Sequence, residues 1–272
     1  VAQTIKITKV APAYPLGVFV QWNYTAEAAG EFNFQIERSG SPEGPWTPVG
    51  NVTNGVTFYD TLVKSNDAAN ALSIERSIWY RVTLPNTTSV PMNLDGERAN
   101  DVFQTGRGDD NILHKRTIYL RRKIIRDEAL AFKVLNGIPV SILKRKHFGT
   151  RCPVCYDPLT KTTTKSRCTA CYGTSWAGGY YAPIHTLARL VTGGAQTGLD
   201  SQGKSEYLQT TITLLNYPLV EEGDVIVERE IDRRYLVKQM SSTELRRLVV
   251  HQTVVTVELP RTAPEYSVRV DV

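Results

Sequence analysis

Four cysteines are the residues of this chain best equipped for chemistry, and they come as two matched pairs. Arg151-Cys-Pro-Val-Cys155 and Arg167-Cys-Thr-Ala-Cys171 each carry a C-x2-C step, with twelve residues between the pairs. That spacing suits one zinc ion held tetrahedrally by Cys152, Cys155, Cys168 and Cys171, because zinc is borderline-soft and imposes no d-electron geometry. Four thiolates leave no open coordination position, so the expected role is structural, with binding worth about 10–16 kcal/mol and inseparable from local folding. Two disulfides or a lone redox pair are the competing readings, and a duplicated pair with no further cysteine favours metal over both. His147 lies near enough in sequence to substitute for one cysteine.

The module that carries the cysteines sits in a basic stretch. Residues 106–186 hold 15 Lys/Arg against 5 Asp/Glu, leaving 17 against 22 in the rest of a chain whose formal net charge is +5. A basic middle between acidic flanks is expected to face a polyanion or an acidic protein surface. From a cap at Asp109 or Asp110, helix-forming residues run to Asn136-Gly137, where the glycine is expected to take the left-handed C-terminal conformation. Such a helix would be about 40 Å long. Leu113, Leu120, Ile124, Ala131 and Leu135, flanked by Ile118, Ile125 and Phe132, give it a broad apolar face, and Lys115, Arg122, Arg126 and Lys133 a basic line almost opposite. Lys144-Arg-Lys146 and Arg151 extend the charge. Such a line gives sequence-independent contact with DNA.

Residues 1–105 read as a β-sandwich: short β-branched runs at Thr4–Val10, Gly17–Trp22, Phe32–Arg38, Pro45–Val49, Val56–Tyr59, Ile78–Leu84 and Asp101–Gln104, with turn residues between. Trp22 is expected in its core. The motifs Phe34-Gln-Ile-Glu-Arg-Ser39, Ser41-Pro-Glu-Gly-Pro-Trp46, Phe58-Tyr-Asp60 and Tyr80-Arg-Val82 resemble those of fibronectin type III domains, which implies a fold but no active site. Three N-x-T triplets, at Asn23, Asn51 and Asn86, would mark glycans only on an exported chain, and Val1–Val10 has no signal-peptide pattern.

Residues 187–272 are expected to form a small barrel and an extended tail from Arg261, with strands at Glu206–Leu215, Asp224–Glu228, Arg234–Gln239 and Leu245–Leu259. Gly198-Leu-Asp-Ser-Gln-Gly-Lys-Ser205 fits the phosphate-loop pattern. A β-prone sequence follows it where that pattern needs a helix, so a flexible Gly-rich loop over 192–205, ordering only on assembly, is expected instead. The four histidines are scattered and no nucleophile motif occurs, so no enzyme is expected. There is no apolar run long enough to span a membrane.

The start of the second cysteine pair resembles half of the zinc repeat of cytosolic co-chaperones. The basic helix, Lys144-Arg-Lys146, the cysteine pairs and Gly178-Gly-Tyr-Tyr-Ala-Pro183 together resemble a zinc-containing virion protein of tailed bacteriophages. Gly223-Asp-Val-Ile-Val-Glu228, Arg234-Tyr-Leu-Val237 and Ser242–Gln252 are similar to the small β-barrels of phage head-closure (stopper) and connector proteins. The resemblance implies a multidomain, mainly β chain. Its parts would be a fibronectin type III-like sandwich (1–105), a long helix with a four-cysteine zinc ribbon (106–186) and a small barrel (187–272). It also implies a homo-oligomeric ring in the virion neck, assembled in host cytoplasm against portal, adaptor or tail proteins. A soluble zinc-containing nucleic-acid-binding protein and a tail or baseplate adhesion component are the alternatives.

Overall fold

A computed structural model of the chain describes residues 3–13, 17–26, 28–61, 78–94, 115–165, 168–200, 203–245 and 248–270. The fold is mainly β, with several sheets, one closed six-stranded barrel and, among the described residues, one α-helix. Two compact units divide it: Val1–Ala129 with Asn216–Leu219 and Leu245–Val250, and Leu130–Leu215 with Val220–Glu244 and His251–Val272.

The first unit opens with strands β1 (Thr4–Ala13), β2 (Gly17–Thr25), β3 (Asn33–Ser39), β4 (Thr47–Thr53), β5 (Thr57–Asp60), β6 (Trp79–Leu84), β7 (Thr87–Thr88) and β8 (Met92–Asn93). They form two sheets, ordered β1-β2-β5 and β4-β3-β6-β7, with β8 also paired to β6. Alternation along β3 explains its placement: Phe34 and Ile36 are buried while Asn33 and Gln35 are exposed, as the two-residue strand period requires. Trp22 is fully buried, as expected, 5.6 Å from Phe34 of the other sheet. A polar tie joins the sheets as well, since Tyr80 Oη and Arg38 Nη1 both donate to Asp60 Oδ2 at 2.8 Å. Gly17 (φ +121°) makes this corner, where a Cβ would stand 2.2 Å from the Asp60 carbonyl oxygen. The strand expected at Asp101–Gln104, the linker and the caps at Asp109 and Asp110 lie outside the described residues.

Helix α1 (Lys115–Ala131) continues into a π-helical turn over Phe132–Asn136. Gly137 is extended (φ −88°, ψ 135°) rather than left-handed. Its N–H donates to the Phe132 carbonyl at 2.8 Å, and a Cβ there would lie 2.2 Å from that oxygen. Close approach, not positive φ, is what needs glycine here. Of the broad apolar face expected, the flanking Ile125 and Phe132 are buried, whereas Leu120 and Leu135 are 50% and 80% exposed.

The barrel of the second unit has six strands: β9 (Ile138–Leu143), β12 (Ile184–Asp200), β13 (Gly203–Leu214), β14 (Val225–Glu228), β15 (Arg233–Leu245) and β16 (Leu248–Glu258). They close in the order β12-β13-β16-β15-β14-β9. Its first strand therefore precedes the cysteine pairs, and the barrel is not confined to 187–272. Residues directly opposed across a ladder share a face. Through the registers Ile142↔Ile184, Ile142↔Ile226, Ile226↔Tyr235, Ala188↔Leu214 and Ile212↔Val254, one face collects these apolar side chains, all at most 3% exposed. This face is the interior. Gln252 also points inward, and it is satisfied by the connection that crosses from β13 to β14: Nε2 donates to the Leu215 carbonyl at 2.9 Å and Oε1 accepts from the Val220 N–H at 3.0 Å.

Two expectations are corrected here. The stretch expected to be a flexible loop forms the long β12–β13 hairpin, with Gly198↔Ser205, Leu199↔Lys204 and Asp200↔Gly203 in register and residues 201–202 outside the described set. Ladder pairing wins over glycine content, and the phosphate-loop pattern has no helix to serve. The chain beyond Arg261 is not an extended tail but folds back through a short 3-10 turn at Pro264–Ser267. Buried Arg234 holds it, with Nη1 donating to the Glu265 and Val268 carbonyls and the guanidinium lying 5.1 Å from the Tyr266 ring centroid.

Candidate metal centre

Between β9 and β12 the chain leaves the barrel and builds the cysteine module. Its entrance is a continuation of the barrel ladder: Arg145 bridges Tyr180, Lys146 N–H donates to the Gly179 carbonyl at 2.9 Å, and Tyr181 N–H to the Lys144 carbonyl at 2.9 Å. A small hairpin, β10 (Tyr156–Asp157) and β11 (Thr162–Thr163), fills the gap between the cysteine pairs. Asp157 turns it, its Oδ1 accepting from the Leu159 N–H at 2.9 Å and its Oδ2 from Thr160 Oγ1 at 2.9 Å. The Leu159 N–H also holds the Asp157 carboxyl below its ordinary range.

Both knuckles are shaped by backbone hydrogen bonds. Tyr156 N–H donates to the Cys152 carbonyl at 3.2 Å and Tyr172 N–H to the Cys168 carbonyl at 2.7 Å, so each C-x2-C step turns back on itself. Thr174 fixes the exit of the second knuckle, donating from N–H and Oγ1 to the Cys171 carbonyl at 2.9 and 2.7 Å. The knuckles are joined by the Cys152 N–H bond to the Ser175 carbonyl at 3.0 Å and by the Arg151–Trp176 bridge. The Arg151 guanidinium lies 3.7 Å from the Trp176 ring centroid and 4.8 Å from that of Tyr156.

The result is a cluster of four buried sulfurs. All four lie within 4.8 Å of one another, with Cys155–Cys171 at 3.3 Å and Cys152–Cys168 at 3.9 Å. A disulfide would need about 2.05 Å, and all four cysteines are free. Thiolates at about 2.3 Å from a tetrahedral ion would stand about 3.8 Å apart, which is the scale observed. The thiols differ in how readily they ionise. Burial pushes the Cys155 and Cys171 thiols up, while the Ala170 N–H draws Cys168 down to about 7. Four buried thiolates without a counter-charge would repel one another, and a divalent ion removes that conflict. The four cysteines could therefore bind a metal ion; they form a buried cluster with Ala170 packed against it.

The other residues singled out from sequence fall into two groups. His147 stands outside the sulfur cluster, its ring edge-on to Phe148 (5.1 Å) and Tyr181 (5.9 Å), and desolvation lowers its pKa. Much of the expected basic surface is occupied internally. Arg122 is buried, Lys144 Nζ is buried against Asp224 Oδ2 at 2.8 Å, and Lys146 Nζ donates to the Ala177 carbonyl at 2.8 Å. Of the expected helical line, Arg126 and Lys133 remain exposed, and the Lys115 side chain and Leu113 lie outside the described residues.

Sequence reasoning missed Asp224, which organises the junction of module and barrel by also accepting from the Arg145 and Glu221 N–H groups at 2.9 and 2.8 Å. It missed a Ser141–His185 contact of 2.9 Å as well, between a fully buried serine and an exposed histidine. Adjacent strand residues such as these pair only once the β9–β12 register is known. No protein-family model matches the sequence, and no curated protein matches it significantly.

Proposed function

We propose that this chain is a structural subunit of a tailed-phage particle, placed in the neck between portal and tail, where copies assemble into a ring. The observation that carries the reading is the closed barrel interrupted by a cysteine module. A six-stranded barrel offers rigid outer walls for lateral contacts, and a thiolate-bound zinc stabilises a loop too small to hold its own core. Zinc, at Cys152, Cys155, Cys168 and Cys171, is the ion this reading assigns, since a closed tetrahedral shell of four sulfurs suits it.

The first unit supports the same picture as an outer decoration. Its two sheets, β1-β2-β5 and β4-β3-β6-β7, support the reading of this unit as a fibronectin type III-like sandwich. Ring contacts would fall on the barrel, with portal, adaptor or tail proteins as neighbours. Arg126 and Lys133 are exposed and, with Lys115 of the same line, are the residues this reading assigns to contact with DNA or an acidic protein surface, whereas Arg122 and Lys144 are buried.

Immunogold electron microscopy with an antibody against residues 1–100, on particles from the source culture, tests this reading. Label at the head–tail junction is expected. Label at the distal tail would move the chain to the adhesion apparatus. Unlabelled particles with abundant soluble protein would favour the nucleic-acid-binding alternative, which salt-dependent binding of duplex DNA by the isolated chain would then support.

A further inference from the structure

The first unit carries a cleft of about 720 Å³ whose lining has an unusual composition. Among the described residues, five primary amides face it, from Gln3, Asn33, Gln35, Asn51 and Asn86, together with one carboxylate, Glu31, and no Lys or Arg. Strand pairing places them. Gln35 of β3 lies directly opposite Asn51 of β4 on one side and Thr83 of β6 on the other, on the solvent face of the sheet, and Asn33 follows two residues along the same face. Neighbouring strands stand about 4.8 Å apart, so Asn51, Gln35 and Thr83 form a row of polar groups a sugar ring's width apart. Phe32, Leu84 and Pro85 give the cleft apolar borders.

None of these five amides is engaged in a side-chain hydrogen bond among the described residues. Each offers a donor pair and an acceptor side by side, the arrangement that meets adjacent hydroxyls of a sugar. In the next cross-strand row of the same face, Arg81 Nε pairs with Glu37 Oε2 at 2.5 Å, so each charge there has a partner. A lining with one carboxylate and no base disfavours phosphate, sulfate and uronate groups, which would sit beside Glu31 without a cation.

We propose that this cleft binds a neutral oligosaccharide, with Gln35 and Asn51 reading ring hydroxyls and the Phe32 edge bordering the apolar face of a sugar. The inference concerns the first unit alone and does not depend on where the chain sits in a particle. The test uses the full metal-loaded chain on an array of neutral gluco-, galacto-, manno- and N-acetylglucosamine oligosaccharides, with heparin and polyuronate as acidic probes. The expected result is binding of at least one neutral oligosaccharide, insensitive to salt and weakened at least tenfold in Q35A/N51A, whose thermal melt is unchanged because both side chains are exposed. Absence of binding across the neutral array would overturn the proposal. So would binding that Q35A/N51A leaves intact, or a preference for the acidic probes that added salt removes.

Discussion

Replacing Cys152 by serine tests the metal centre most directly. The four sulfurs occupy equivalent positions in one buried cluster, with no carboxylate or histidine among them to take over a vacated place. If about 10–16 kcal/mol of binding is shared equally among four thiolates, each contributes about 2.5–4 kcal/mol, or two to three orders of magnitude in affinity. Little apolar packing offsets that loss among the described residues, where Ala170 is the partly buried apolar residue packed on the cysteine cluster. Cys152→Ser should therefore lose its metal to a chromophoric chelator that leaves the parent protein loaded. Hydrogen exchange should show protection vanishing over 150–179 while the barrel ladders keep theirs. Thr169→Ala, an exposed neighbour that is not a ligand, is the control. One equivalent of metal retained by Cys152→Ser with an affinity within tenfold of the parent would refute the reasoning.

Acidification should act on the same site. Binding must displace protons from the Cys155 and Cys171 thiols that burial holds high, so metal affinity is expected to fall about a hundredfold per pH unit below neutrality, read by chelator competition. Lys144→Met leaves Asp224 buried and uncompensated and should cost about 3–5 kcal/mol in a denaturant melt, with Lys144→Met/Asp224→Asn recovering part of it. Arg234→Ala removes the clasp on the folded-back end; it should cost about 3 kcal/mol and expose Arg261 to trypsin, and an unchanged digestion pattern would count against it. Gly17→Ala should destabilise the first unit by more than about 1 kcal/mol, since the corner has no room for a Cβ beside Asp60.

What could be read from sequence was governed by local signals. The cysteine pairs stated their own geometry, and alternating or β-branched runs placed β1, β2, β3, β6, β13, β14 and β16 within a few residues, whereas β15 runs on to Leu245, past the expected end at Gln239. Strand β9 was invisible because most of Ile138–Leu143 is buried, consecutive residues alike, and so shows no alternation. The β12–β13 hairpin was hidden by its glycines, whose flexibility is outweighed by a ladder that no local pattern announces. The basic line misled for a related reason. Formal charge does not reveal which cations are consumed, and Arg122, Lys144 and Lys146 are turned inward by contacts that span up to 80 residues of chain. The clasp formed by Arg234 belongs to the same class, since its partners at Glu265 and Val268 are carbonyls that carry no side-chain signature.

The path into and out of the cysteine module has a consequence for how such a chain changes over time. Strands β9 and β12 pair antiparallel from Ile142↔Ile184 to Ile138↔Ala188, and the Arg145–Tyr180 bridge extends that pairing to the module's neck. The whole of 146–179 is thus the loop of one hairpin. Loop length adds to closure entropy only logarithmically, so lineages can lengthen, shorten or exchange this insert while the six-stranded wall keeps its register. A metal bound by the four cysteines would then set the rigidity of this loop without altering the register of the barrel strands that carry it.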